Sequence, residues 1–111
     1  MTNLKQFQYN FTGRYKYFST TCIEHKENGQ KLIITRRKEQ TDNKPLEFLL
    51  CITANGQRNY VSSLYPVDDN YCFEKTGKVY FMELLADEVI ISENNNYRSV
   101  IQSWLIRSKK V

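Results

Sequence analysis

LEFLLCITANGQRNYVSSLY, running from Leu46 to Tyr65, contains two apolar runs that meet at Asn55-Gly56. Asn-Gly between β-favouring runs marks a hairpin, because a type I′ turn needs positive φ at both central residues and these two types tolerate it best. Such a turn sets Leu46, Phe48, Leu50 and Ile52 on one face of the first strand, with Leu49 and Cys51 on the other, opposite Ser62 and Tyr60. Both faces are largely apolar, so this strand is predicted to be covered on both sides, as in a barrel or sandwich interior.

Toward the N-terminus, Phe7, Tyr9 and Phe11 alternate with Gln6, Gln8 and Asn10, the period of a strand with one buried face. Gly13 interrupts the alternation. Arg14 to His25 resumes it as one long predicted strand, with Tyr15, Tyr17 and Ile23 on one side. Asn28-Gly29 supplies a second turn, Lys31 to Gln40 the return strand, and Thr41 to Pro45 a loop. Beyond the central hairpin, Tyr71 to Glu74, Val79 to Leu85 and Val89 to Ser92 read as further strands, separated by Lys75-Thr76-Gly77-Lys78 and Ala86-Asp87-Glu88. The last segment carries two periods. Tyr97, Ile101, Trp104 and Leu105 fall at helical spacing, whereas Val100, Gln102, Trp104 and Ile106 alternate, and the β-rich context favours strand. The chain is therefore expected to be all-β: eight or nine short antiparallel strands in a small up-and-down barrel or sandwich, one domain over 1–111, with a C-terminal helix as the alternative for 97–107.

Composition narrows the function classes. A chain of 111 residues has room for one core and one site. Residues 1–60 hold ten Lys and Arg against five Asp and Glu, residues 66–93 two against seven, and residues 97–111 four against none. Basic ends thus flank an acidic middle, which permits an anionic partner without requiring one. Cys22, Cys51 and Cys72 are odd in number and lack a CxxC pair, so neither a disulfide framework nor a zinc site is expected. Their positions inside strands suit small buried fillers. A reduced, cytoplasmic setting follows, and no apolar run approaches the roughly 18 residues of a spanning helix.

Gly13-Arg14-Tyr15 at the start of a barrel strand, Val67-Asp68-Asp69-Asn70-Tyr71 on a mid-chain loop, and a final strand carrying Trp104 and Arg107 together resemble the lipocalin (calycin) pattern. Tyr15 stands where that family has Trp. The resemblance implies that Tyr15 and Arg107 close one end of the barrel and that a ligand lies inside it.

No cofactor or metal motif is visible, and His25, flanked by Glu24, Lys26 and Glu27, reads as a solvent-exposed turn residue. Asp68-Asp69 falls far short of a calcium ligand set. The expected function is a non-enzymatic binding protein that accepts a small ligand in the barrel or docks a protein partner. Tyr9, Tyr15, Tyr17, Tyr60 and Trp104 would supply apolar area with polar tips. The alternative is a single-stranded nucleic-acid binder. Arg14, Lys16, Arg36, Arg37 and Lys38 interleave with Tyr15, Tyr17 and Phe18, and rings that stack bases beside cations that track phosphates are how β-barrel modules hold single strands.

Overall fold

Alternating inward residues generate the architecture. Tyr15, Ile23, Leu32, Leu49, Phe73, Met82, Val89 and Ile91 come from seven different strands, and each is at most 2 % exposed. The computed structural model, which describes residues 10–109, arranges these strands as β1 (Gly13–Tyr17), β2 (Cys22–His25), β3 (Lys31–Arg36), β4 (Glu47–Ile52), β5 (Arg58–Ser63), β6 (Tyr65–Val67), β7 (Asn70–Lys75), β8 (Lys78–Leu84) and β9 (Glu88–Glu93). They form one antiparallel sheet in the order β5-β4-β3-β2-β1-β9-β8-β7-β6. The predicted strand over Phe7, Tyr9 and Phe11 lies largely outside the described residues, as does the ligand candidate Tyr9.

The first and last strands are neighbours, Gly13 opposite Ile91 and Tyr15 opposite Val89, so the sheet curls into a nearly closed barrel rather than a sandwich. Its two ends, β5 and β6, are successive pieces of one stretch of chain separated by Leu64. β5 pairs with β4 and β6 with β7, so this bent strand hands the ladder from one side of the seam to the other. The architecture matches what the lipocalin resemblance implies. The interior is filled by side chains, as small barrels generally are.

Four expectations are corrected. Arg14 to His25 is a hairpin, not one strand. The Ser19 hydroxyl accepts from the backbone N–H groups of Thr21 and Cys22 at 3.3 and 3.2 Å, the chain reverses, and Tyr15 pairs with His25. The Asn55-Gly56 turn is not type I′. Thr53 N–H donates to Gln57 across a three-residue loop in which Gly56 has positive φ and Asn55 does not. This shifts Leu50 opposite Tyr60, and a bulge at Val61 restores Leu49 opposite Ser62. Residues Arg98–Leu105 form a helix, α1, rather than a strand. β9 already has partners on both sides, and the helical period buries Ile101 and Trp104 with Tyr97 and Val100 against Tyr65, Cys72 and Val79 on the outer side of β6–β8. This second cluster lies outside the barrel, and no described helix is long and apolar enough to cross a membrane. Finally, β4 is covered on one face only: Leu49 and Cys51 are buried inside, while Phe48, Leu50 and Ile52 on the outer face are half-buried.

The turn that does have positive φ at both central residues is Thr76-Gly77, with φ of 50° and 82°, between the paired Lys75 and Lys78. A β-branched side chain is poorly suited to that conformation. Thr76→Asn should therefore raise stability by about 1 kcal/mol and the Tm by about 4–8 °C, read by thermal unfolding. No change in Tm would show that the turn is unstrained.

Candidate docking face on the outer sheet

Cross-strand pairing assembles the outer side of β2–β5 into a continuous surface. Cys22 lies opposite Ile33, Ile33 opposite Leu50 and Leu50 opposite Tyr60, so one apolar row crosses four strands. Phe48 and Ile52 flank the row on β4. Phe18, on the β1–β2 turn, joins Cys22, Ile33, Ile52, Arg36 and Arg58 around a shallow depression of about 630 Å³. The helix α1 packs on β6–β8 and not on this half of the sheet, where Ile33, Phe48, Leu50 and Ile52 are half-buried.

The rings on this face carry cations. The Lys31 ammonium sits 4.6 Å from the centre of the Phe18 ring, and the Arg37 guanidinium 4.7 Å from that of Phe48 and 5.9 Å from that of Tyr60. Phe18 and Tyr60 are nevertheless 63 % and 52 % exposed. Arg37 is held in place: its Nε donates to the Pro45 carbonyl at 3.1 Å and its Nη2 to Ser63 Oγ at 2.8 Å and to Tyr60 Oη at 3.3 Å. Burial pushes the Tyr60 phenol up, but hydrogen bonds from Ser63 and Arg37 and the charges of Arg37 and Lys44 outweigh it, leaving Tyr60 more acidic than a free tyrosine.

Of the basic and aromatic residues picked out in the sequence, Phe18 and Arg37 lie on this face, and Arg36 reaches its rim, 4.0 Å from Glu47. Lys38 is exposed just beyond β3. Arg14 is elsewhere, bonded to Glu88 at 2.6 Å together with Lys26 at 2.7 Å, and these bonds, Lys26 first, hold the Glu88 carboxyl below the usual range. Lys16 sits 3.7 Å from Glu24. The expected juxtaposition of 14–18 with 36–38 is therefore reduced to Phe18 and the end of β3, because β2 stands between β1 and β3. Lys31, Phe48 and Arg58 belong to the face and were missed. The apolar excess on both faces of β4 was the signal that could have found them.

Of the five rings proposed for a small ligand, the four that are described are dispersed. Tyr15 is fully buried and donates to the Phe11 carbonyl at 2.6 Å, and burial raises its pKa well above the ordinary value. Tyr17 donates to the Leu85 carbonyl at 2.9 Å. Tyr60 is on the outer face, and Trp104 is on the buried side of α1, 6.3 Å from Tyr65. Arg107 stacks 3.9 Å over Trp104 instead of meeting Tyr15, so the barrel closure implied by the lipocalin resemblance is not formed.

His25 is corrected from an exposed turn residue to a buried one, 7 % exposed. Its Nδ1 accepts from the backbone N–H groups of Glu27 and Asn28 at 3.1 and 3.2 Å, which leaves Nε2 to donate to the Thr12 carbonyl at 3.1 Å. Both ring nitrogens are thus committed to shaping the chain at one end of the barrel. Of the thiols, Cys51 is buried inside the barrel, Cys72 is buried beneath α1 and Cys22 is half-buried on the outer face; burial raises the pKa of Cys22, and that of Cys72 to about 11.

Comparison of the chain with protein-family models, curated proteins and solved structures returns no match. The geometry of the face is the guide to its use.

Proposed function

We propose that this protein is a non-enzymatic binding module that docks an anionic partner on the outer face of β2–β5. The observation that carries this reading is the row Cys22–Ile33–Leu50–Tyr60, a half-buried apolar strip ending in the exposed Tyr60 and set among Lys31, Arg36, Arg37 and Arg58. Apolar area supplies affinity, and the surrounding cations select the sign of the partner and speed its approach. A ligand inside the barrel is the less favoured reading, since Tyr15, Leu32, Leu49, Phe73 and Met82 meet there with no exposed surface.

Heparin, a sulfated polysaccharide, is a sufficient probe of the charge requirement. Replacing Lys31 and Arg58 with Ser should lower the salt needed for elution from heparin and reduce the slope of log affinity against log salt by about 2, roughly one per lost contact. Lys75→Ser with Lys78→Ser removes the same charge at the far side of the barrel and should leave both nearly unchanged. Equal losses in the two variants would mean that net charge alone governs binding, and the face would have no special role.

A further inference from the structure

We infer that the anionic partner is a single-stranded nucleic acid, with bases stacked on Phe18 and Tyr60 and phosphates held by Lys31, Arg58 and Arg37. This rests on the outer face being the docking surface, and it adds the chemistry of the occupant.

Two features of the face discriminate among polyanions. The first is backbone satisfaction. β2, β3 and β4 are each paired on both sides, so their N–H and C=O groups are used within the sheet. An acidic peptide lying across them would find side chains only and would leave its own backbone groups without partners, whereas peptide recognition on sheets normally uses a free edge. A nucleic-acid strand has no such requirement, because its bases bind through their flat faces and its backbone through charge.

The second feature is the pairing of ring and cation. Phe18 with Lys31, and Tyr60 with Arg37, are each an exposed aromatic surface with a positive group within 6 Å of the ring centre. Phe48 lies 5.7 Å from Tyr60, broadening the second platform. These platforms stand at opposite sides of a four-strand span. Three intervals of about 4.8 Å separate β2 from β5, so the span is about 14 Å. That length suits a short segment of about four nucleotides, the low end of the range for small barrel folds.

The floor between the platforms is Cys22, Ile33 and Leu50, which present little that could hydrogen-bond a base edge. Recognition through ring faces alone tolerates any base sequence. It also discriminates against duplexes, whose bases are already stacked and enclosed. The strand is accordingly expected to bind with weak sequence preference and clear preference for the unpaired form.

The test is fluorescence anisotropy with the whole chain and four labelled probes of matched length, about twelve units each. They are oligothymidylate, the same deoxyribose-phosphate chain without bases, a DNA duplex and poly-glutamate. Oligothymidylate should bind at least about tenfold more tightly than the other three. Phe18→Ala, which alters an exposed turn side chain, should weaken it about tenfold while leaving the abasic chain unchanged. Tyr60→Ala should act in the same way, and Tyr60→Phe, which keeps the ring, should not. If the abasic chain or poly-glutamate matches oligothymidylate, or if Phe18→Ala has no effect, base stacking is overturned while anion docking survives. If none of the four binds and the heparin result is also negative, both readings fall.

Discussion

Gly13→Ala should cost about 3–5 kcal/mol, a large part of the roughly 5–15 kcal/mol that holds a domain of this size together. Two effects add at this position. Gly13 has φ of +139°, a conformation that L side chains rarely adopt, for which about 1–3 kcal/mol is the usual cost. A methyl group placed there would also run into the His25 ring at Nε2, and crowding a packed site adds about 1–3 kcal/mol. The ring cannot easily move aside, because both nitrogens are held by backbone groups and its edge packs against Tyr15 with centroids 4.9 Å apart. Urea denaturation would show a lower midpoint with an unchanged slope. His25→Ala in the Gly13→Ala background should recover the part due to collision and none of the part due to backbone strain, so the double variant costs less than the two singles summed. Strict additivity would mean that the ring and the new methyl do not meet.

Phe73→Ala is the second large effect, about 3–5 kcal/mol. Phe73 is fully buried, stacks on Tyr80 with centroids 5.0 Å apart, and receives the edge of Phe11 at 5.7 Å. Phe11 also meets Tyr80 edge-on at 5.7 Å, so the three rings form one unit and removing Phe73 leaves a cavity that the other two cannot fill without losing their own contact. Thermal unfolding should fall by at least about 10 °C. Phe73→Leu, which keeps most of the volume, should cost well under half as much. A Phe73→Ala protein as stable as the parent would mean that the barrel interior is loosely packed, and would restore the inner ligand reading.

Much of the barrel is legible in the sequence because period-two alternation and turn chemistry act locally. The central hairpin, the β7–β8 turn and the strands either side of each turn all follow from neighbouring residues. What is not legible depends on distant partners. Whether Tyr97 to Arg107 obeys its helical or its alternating pattern is decided by β9 having no free edge, a fact set by Arg14 and Tyr15 at the other end of the chain. The split of Arg14 to His25 turns on one serine hydroxyl that accepts two backbone N–H groups, a pattern easily lost in a run of Ser and Thr. His25 looked exposed because its neighbours in sequence are charged, although it shares strand parity with the buried Ile23, two residues earlier.

The outer face of β2–β5 was visible only as an anomaly. Residues 46–52 are apolar on both sides, and the plain interpretation of that pattern is burial on both sides. The structure resolves it otherwise: Leu49 and Cys51 satisfy the core, while Phe48, Leu50 and Ile52 exceed what packing among the described residues requires. An apolar excess of this kind is commonly tied to a partner. Charge clustering was a poorer guide, since Arg14 and Lys16 are matched by Glu88 and Glu24 on adjacent strands, which no inspection of composition along the chain reveals.

The pairing of β1 with β9 also joins the two halves of the sheet. Gly13 must come to rest beside Ile91 before the sheet is continuous, so the hairpins formed early by nearby residues gain their full stabilisation only when the ring shuts. The entropy of that closure grows only slowly with the length of chain enclosed. Neither the basic half nor the acidic half therefore holds the whole sheet.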